Sequence, residues 1–211
     1  GRSRNVAGQL NKGIEGLFRK YKVKSKIGVA QVVGPNKVKI GDEVVTAGAI
    51  VIATGARPRP FPGVEFDGKT IITSKEAMSL EKQPRAMLII GAGAIGLEFG
   101  YFYNAVGTKV TVVEMQDHVL PIEDEEVSDT LKKSLTAKGL EIFTSSKTTK
   151  LVKTANGVKA EIETPQGKKT IEADVALVAI GVTGNVEGLF APDVKVEIDR
   201  GHIKVARDNG F

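Results

Sequence analysis

Two hydrophobic periods alternate along the chain and predict its elements. From about Ser3 to Tyr21, the residues Val6, Leu10, Ile14, Leu17, Phe18 and Tyr21 recur at helical spacing, which predicts an amphipathic helix. Alternating segments follow at Lys24 to Val33, Lys37 to Ile40 and Glu43 to Val45, separated by the turn signals Pro35-Asn36 and Gly41-Asp42. They predict a small antiparallel meander. Ala49 to Ala53 is continuously apolar and reads as a buried strand running into Thr54-Gly55-Ala56-Arg57-Pro58. Pro58, Pro60, Pro62 and Gly63 mark an extended connection, and Thr73 to Leu80 a short helix capped by Thr73 or Ser74.

The centre of the chain reads LIIGAGAIGLEFGYFYNAVGTKVTVVE, from Leu88 to Glu114. Met87 to Ile90 is apolar and stops at Gly91. A helical pattern follows as far as Gly107, then Val110 to Val113 is apolar and ends on Glu114. This is strand, glycine turn, helix, strand and acid: one βαβ unit. Asp124 to Lys138 then reads as a helix, with acids at its start, lysines near its end and Val127, Leu131 and Leu135 as its buried stripe. Leu140 to Phe143 is the next strand. Lys147 to Val152, Val158 to Glu163 and Lys168 to Ile171 alternate at period two, so a second meander replaces a second helical crossover. Asp174 to Ala179 is an apolar strand ending near Gly181, and Val194 to Val205 holds short strands around Arg200-Gly201.

The βαβ unit carries the candidate chemistry. Gly91 permits a tight turn out of the strand, and Gly93 leaves a pyrophosphate free to approach the backbone. Gly96 lets the helix pack close to the sheet, and Gly100 extends that contact. Ala94, Ile95 and Gly96 open the helix, whose first turn offers N–H groups and a partial positive charge to an anion. Glu114 follows about twenty residues after the glycines, where an acid accepts hydrogen bonds from a ribose diol. A 2′-phosphate would meet that carboxylate, so NAD(H) is expected rather than NADP(H). A glycine-rich turn that only packs well would explain the glycines but leave the acid without a role.

Composition narrows the rest. With no cysteine among 211 residues, the chain has no disulfide, thiolate metal site or redox dithiol of its own. The net charge of +5 draws on the first forty residues, among them Arg2, Arg4, Arg19, Lys20, Lys22, Lys24 and Lys26. Few aromatics are interleaved with them, so they read as a solvated face and no nucleic-acid partner is expected. No apolar run is long enough to span a membrane, and no membrane partner is expected.

The Thr-Gly strand end, the glycine fingerprint, the late meander and ADVALVAIG before Gly181 together resemble the flavin-dependent pyridine nucleotide-disulfide oxidoreductases. GAGAIGLEFG and VVEMQDHVLP most resemble the dihydrolipoamide dehydrogenases within that family. The resemblance implies an α/β fold: a Rossmann-like NAD-binding domain, with a parallel sheet, helices and a three-stranded antiparallel meander, flanked by incomplete pieces of an FAD-binding domain. Residues 1–83 would be a partial FAD-domain segment and linker, 84–183 the NAD domain, and 184–211 a return into the FAD domain. By the same resemblance Thr54, Gly55 and Ala56 would touch FAD, and Ala30 would lie near its adenine. Gly91, Gly93, Ala94, Ile95 and Gly96 would hold the NAD pyrophosphate, Glu98 would sit near the nicotinamide end, Glu114 at the adenosine ribose, Thr148 at the adenine and Gly181 beside the nicotinamide.

The family also carries a flavin-binding GxGxxG and a redox cysteine pair in its first segment. A Gly-Asp flavin contact and a dimerisation domain with a catalytic His and Glu follow in its last. None of these is in this sequence; His118 and His202 match no catalytic histidine and read as surface residues. Val182-Thr183-Gly184 stands where the family usually has Arg and Pro, and Ala206 where an acid is common. The expectation is the central part of such an enzyme, without catalysis of its own. The whole enzyme would pass hydride from a dihydrolipoyl dithiol, through disulfide and FAD, to NAD⁺. It would be a homodimer serving lipoyl-bearing proteins of 2-oxo acid dehydrogenase or glycine cleavage complexes, in the cytoplasm or a mitochondrial matrix. A free-standing NAD(H)-binding regulator, or part of another NADH-dependent flavin reductase such as an NADH oxidase or mercuric-type reductase, shares the Gly91 fingerprint.

Overall fold

The computed structural model describes residues 2–205. Ala206 lies outside them. The described residues gather into two compact units, one made of residues up to Ala53, Val186–Asp199 and the stretch from Ile203, the other of Thr54–Asn185 with Arg200–His202.

In the first unit, helix α1 spans Arg2–Lys20, and its Arg19 and Lys20 sit in the last turn, where cations favour the helix dipole. None of its residues is buried, and Val6, Leu10, Ile14, Leu17 and Phe18 all remain exposed. Strands β1 (Ala30–Gly34), β2 (Lys37–Ile40) and β3 (Glu43–Thr46) form the expected antiparallel meander in that order. The first strand is shorter than its alternation predicts. Its partner β2 is four residues long and turns away at Gly41, so the paired register runs only from Ala30↔Ile40 to Gly34↔Lys37. Ala49–Ala53, predicted to be a buried strand, is not one: no strand among the described residues pairs with it, and Val51 is 88% exposed. An apolar run forms a strand only where a neighbouring ladder takes up its backbone groups.

The second unit is built on a five-stranded sheet. In chain order its elements are β4 (Ala56–Pro58), β5 (Ile71–Ile72), α2 (Ser74–Ala77), β6 (Ala86–Ile90), α3 (Ala94–Ala105), β7 (Lys109–Val113), α4 (Glu125–Ala137), β8 (Glu141–Phe143), β9 (Lys147–Thr154), β10 (Gly157–Thr164), β11 (Gly167–Ala173), β12 (Val175–Val178) and β13 (Val182–Gly184). Two further short strands, β14 (Ile198–Asp199) and β15 (His202–Ile203), flank the turn at Arg200 and Gly201, whose φ values are 47° and 82°. The sheet order is β5-β12-β6-β7-β8, parallel throughout.

Burial on both faces explains why these strands read as continuous apolar runs. Met87 and Ile89 of β6 point to one face and pack with Leu97 and Tyr103 of α3 and Leu135 of α4. Leu88 and Ile90 point to the other and pack with Leu151, Val158, Ala160 and Ile162 of the second meander, order β11-β10-β9. The period-two pattern of β10 is thus a half-buried sheet laid on a fully buried one. In α4 the buried residues are Ser128 and Leu135, with Leu131 half-buried, while Val127 is 56% exposed. Leu131 and Leu135 thus keep the predicted stripe, and Ser128 takes the buried place of Val127 at its start. Asp124 caps the helix by accepting from the N–H groups of Glu126 and Val127.

Local capping follows the sequence elsewhere. Thr73 caps α2 in a capping box, with Glu76 Oε2 accepting from the Thr73 N–H at 3.0 Å. The Thr73 hydroxyl and the N–H contacts hold the Glu76 carboxyl below its ordinary pKa against its partial burial. Asp67 ties the loop before β5. Its Oδ1 accepts from the N–H groups of Lys69, Thr70 and Ile71 at 2.9, 2.7 and 2.9 Å, and the carboxylate pairs with Lys153 of β9. Burial opposes its charge, but the Lys153 ammonium and the three N–H groups outweigh it and hold its pKa well below the usual carboxylate range.

A depressed carboxyl pKa contributes stability that is complete above the unfolded value, about 4, and is lost as pH falls towards the folded value. Asp67→Asn is therefore expected to destabilise the second unit by about 1–3 kcal/mol at neutral pH. Urea titrations should show the difference from wild type shrinking as pH falls below about 4; a gap independent of pH would remove this ion pair from the account.

Candidate functional site

The C-terminal ends of β6, β7 and β12 lie side by side, and the candidate residues of the βαβ unit gather there. The turn after β6 is fixed first. The Gly91 N–H donates to the Val113 carbonyl at 2.8 Å, and Gly91 holds a φ of +105° that glycine adopts at little cost. A Cβ on Gly91 would lie 2.4 Å from the carbonyl oxygen of Ala179, just beyond β12, so the turn is pressed against the exit of the neighbouring strand. A Cβ on Gly96 would lie 2.0 Å from the Gly91 carbonyl oxygen, and one on Gly100 would meet Leu140 at 3.3 Å. These two let α3 approach the sheet.

Gly93 differs from both. It is the N-cap of α3, its φ is −72°, and a Cβ there would meet nothing within 4 Å. Its missing side chain serves no packing contact; it leaves open space at the head of the helix. No side chain caps α3, and Ala94 and Ile95 are exposed in its first turn. Glu98 is exposed one turn further on.

Glu114 closes the other side. Its backbone continues the β7 ladder, donating to Phe143 O and accepting from the Ser146 N–H, each at 2.8 Å. Its side chain is only 8% exposed. Oε2 accepts from the Ala92 N–H at 2.7 Å and Oε1 from the Gln116 N–H at 2.8 Å. The acid thus grips the glycine turn itself. A carboxylate oxygen accepts more than one hydrogen bond, so both retain capacity for a diol.

The remaining residues divide. Thr148, on β9, is buried, and its Oγ1 has no hydrogen-bond partner. Gly181, beyond β12, is exposed with φ +106°. It neighbours the fingerprint through Ala179, whose N–H donates to Ile90 O at 2.7 Å. Thr54 and Gly55 precede β4, which Ala56 opens; β4 pairs antiparallel with β13, Ala56 opposite Gly184. Ala30 belongs to the first unit, exposed at the start of β1. His202 is exposed, and His118 is half-buried with Nδ1 2.5 Å from Asp117 Oδ1, a contact that holds the Asp117 carboxyl below its ordinary pKa. Among the described residues no cluster of His, Cys, Asp and Glu could hold a metal ion, and no helix is long and apolar enough to cross a membrane.

Sequence reasoning missed two features. The Ala92 N–H is a backbone group with no side-chain signature. Asn185 joins the segment after Gly181 to Thr54, Gly55 and Arg57 by four hydrogen bonds, and an isolated Asn after Gly184 gives no periodic signal. Taken together, an open helix head, a backbone turn at its base and an acid beside it can recognise a diphosphate joined to a diol-bearing ribose.

Comparison with known proteins agrees in extent and in kind. Residues 2–209 match the family model described as pyridine nucleotide-disulphide oxidoreductase. A dihydrolipoyl dehydrogenase of Rhizobium etli is 40% identical over 221 residues, covering 95% of this chain and 46% of that protein. One from Chlorobaculum tepidum is 40% identical over 209 residues, covering 96% and 45%. Among solved structures, LpdA from Mycobacterium tuberculosis superposes with a TM-score of 0.81 at 29% identity, covering 95% of this chain and 45% of its own. The chain spans somewhat under half the length of these relatives. The family match includes the first helix and meander as well as the fingerprint, which a dinucleotide-binding turn shared by chance would not require. The chain belongs to the pyridine nucleotide-disulphide oxidoreductase family.

Proposed function

We propose that residues 84–183 bind NAD(H), and that the chain is the hydride-acceptor part of a dihydrolipoyl dehydrogenase. The observation that carries this is the Glu114 carboxylate, anchored on the Ala92 N–H beside the open space at Gly93. An adenosine ribose on Glu114 puts the diphosphate over Gly93 and the first-turn N–H groups of Ala94, Ile95 and Gly96. Thr148 is assigned to the adenine end, where β9 follows Ser146 and the Glu114 carbonyl. The other half of the dinucleotide then extends towards Glu98 and Gly181.

The family uses FAD and NAD. In this reading residues 1–83 and 184–211 are segments of the FAD domain, with Thr54, Gly55 and Ala56 at the flavin and Ala30 near its adenine. FAD supplies the hydride donor and NAD⁺ the acceptor. The chain's own residues bind and orient: Glu114 selects the unphosphorylated ribose, the glycine turn seats the diphosphate, and Gly181 borders the nicotinamide. Dihydrolipoyl groups on 2-oxo acid dehydrogenase or glycine cleavage proteins are the proposed electron source. A homodimer in the cytoplasm, or in a mitochondrial matrix, is the proposed setting. The long match to dihydrolipoyl dehydrogenases favours this over a free-standing binding module.

Calorimetric titration of the 211-residue chain with NADH, and separately NADPH, tests the reading. NADH is expected to bind and NADPH to be rejected; binding of neither, or preference for NADPH, would overturn it. Glu114→Ala should weaken NADH by about 1.5–3 kcal/mol, the worth of hydrogen bonds to a charged group, and relax the rejection of NADPH. Unchanged affinities would take Glu114 out of the site. Gly93→Val should abolish NADH binding at an unchanged melting temperature, because nothing in the fold occupies that space. Gly96→Val should instead lower the melting temperature, since its Cβ collides with the Gly91 carbonyl. The pure chain has no cysteine, so dihydrolipoamide should yield no NADH in its presence; turnover would show that electrons reach NAD⁺ without a dithiol on this chain.

A further inference from the structure

The strand order β12-β6-β7 gives the crevice a direction. Glu114 stands at the β7 end, the glycine turn follows β6, and Gly181 lies beyond β12. A ligand held by its ribose at Glu114 and its diphosphate at Gly93 therefore sends its far half to Gly181. That residue is exposed, and at φ +106° its conformation is not fixed by burial. What fixes it comes from the residue just after β4. The Arg59 N–H donates to the Gly181 carbonyl at 3.0 Å, and Arg59 Nε donates to the Val182 carbonyl at 3.0 Å. The β4–β13 ladder continues through Val182↔Pro58 and Thr183↔Arg57 to Gly184↔Ala56.

Asn185 then closes the pair of strands. Its N–H donates to Gly55 O at 3.0 Å and its Nδ2 to Thr54 O at 3.0 Å. Its carbonyl accepts from Thr54 Oγ1 at 2.8 Å and its Oδ1 from an Arg57 Nη at 3.1 Å. Thr54 to Arg59 and Gly181 to Asn185 are thus one hydrogen-bonded clasp, held at one end by Arg59 and at the other by Asn185. A loop with so little buried side chain depends on such bonds for its position.

We propose that Arg59 and Asn185 are positioning residues that hold Gly181 in place for the nicotinamide half of the dinucleotide. This rests on the NAD(H) reading above. Neither side chain is assigned a contact with the ligand's adenosine or diphosphate. Their loss should consequently separate the two halves of the ligand.

The test compares NADH with ADP-ribose, which lacks the nicotinamide, on the wild-type chain and on Arg59→Met and Asn185→Leu. NADH should bind the variants roughly three- to tenfold more weakly, the effect of one or two net hydrogen bonds, with ADP-ribose within about twofold of wild type. Arg59→Lys, which keeps a donor towards Val182, should recover part of the loss. Arg59 is exposed, so Arg59→Met tests the idea even if Asn185→Leu fails to fold. Equal weakening of both ligands, or no weakening of NADH, would overturn the positioning role. A wild-type chain that binds ADP-ribose and NADH equally would overturn the Gly181 subsite and leave adenosine-side binding standing. A wild-type chain that binds neither would overturn the NAD(H) reading and this inference with it.

Discussion

A buried carboxylate held by backbone N–H groups imposes the tightest condition on this structure. Glu114 is 8% exposed, and its charge is met by two backbone N–H groups, those of Ala92 and Gln116. Burying such a charge without hydrogen bonds would cost far more than the fold's margin of stability. The Ala92 N–H must therefore point at β7, which fixes the turn after β6. That turn can reach β7 only with Gly91 at positive φ and pressed on the Ala179 carbonyl. Helix α3 can start there only because Gly96 admits the Gly91 carbonyl where a side chain would stand. The acid, the turn and the helix are one mutually dependent arrangement, and Gly93 is the member that the fold itself does not require.

That distinction bears on how much was legible in advance. The sheet strands could be read because both their faces are buried, by helices on one side and a meander on the other, so Met87 to Ile90 had to be apolar throughout and Val110 to Val113 at every position but Thr111. The second meander was equally legible, since Val158, Ala160 and Ile162 alternate against that sheet. Ala49–Ala53 shows the limit of the same signal. Its composition suits a buried strand, but pairing depends on residues elsewhere, and no described strand lies beside it. Val127 shows a second limit. Valine and leucines at helical spacing suggested one stripe; Leu131 and Leu135 lie on it, but Ser128 takes the buried place at its start that Val127 was expected to hold.

The candidate site was legible where side-chain absence or charge marks it, and silent where backbone groups form it. Three glycines and one acid at fixed spacing announced the crevice. Their separate duties did not show, because a glycine that admits a carbonyl and a glycine that leaves open space are the same letter. Only the surroundings separate Gly96, with a carbonyl at 2.0 Å from its would-be Cβ, from Gly93, with nothing within 4 Å. The clasp at Thr54, Arg59 and Asn185 was silent for a related reason. Its partners are more than one hundred residues apart in sequence, and most of its acceptors are main-chain carbonyls.

A site made largely of main chain has a consequence for its electrostatics. The N–H groups of the first turn of α3 and the carboxylate of Glu114 present opposite signs a short distance apart, one suited to a diphosphate and the other to a diol. In the proposed reading Glu114 serves both the fold and the recognition: it neutralises no phosphate and would repel one placed on the ribose. Because its charge is already committed to Ala92 and Gln116, the carboxylate cannot swing away to admit a 2′-phosphate without leaving the buried Ala92 N–H unmet. In that reading, discrimination between the two dinucleotides is tied to the stability of the turn, and a change of cofactor preference would require the turn to find another acceptor for the Ala92 N–H.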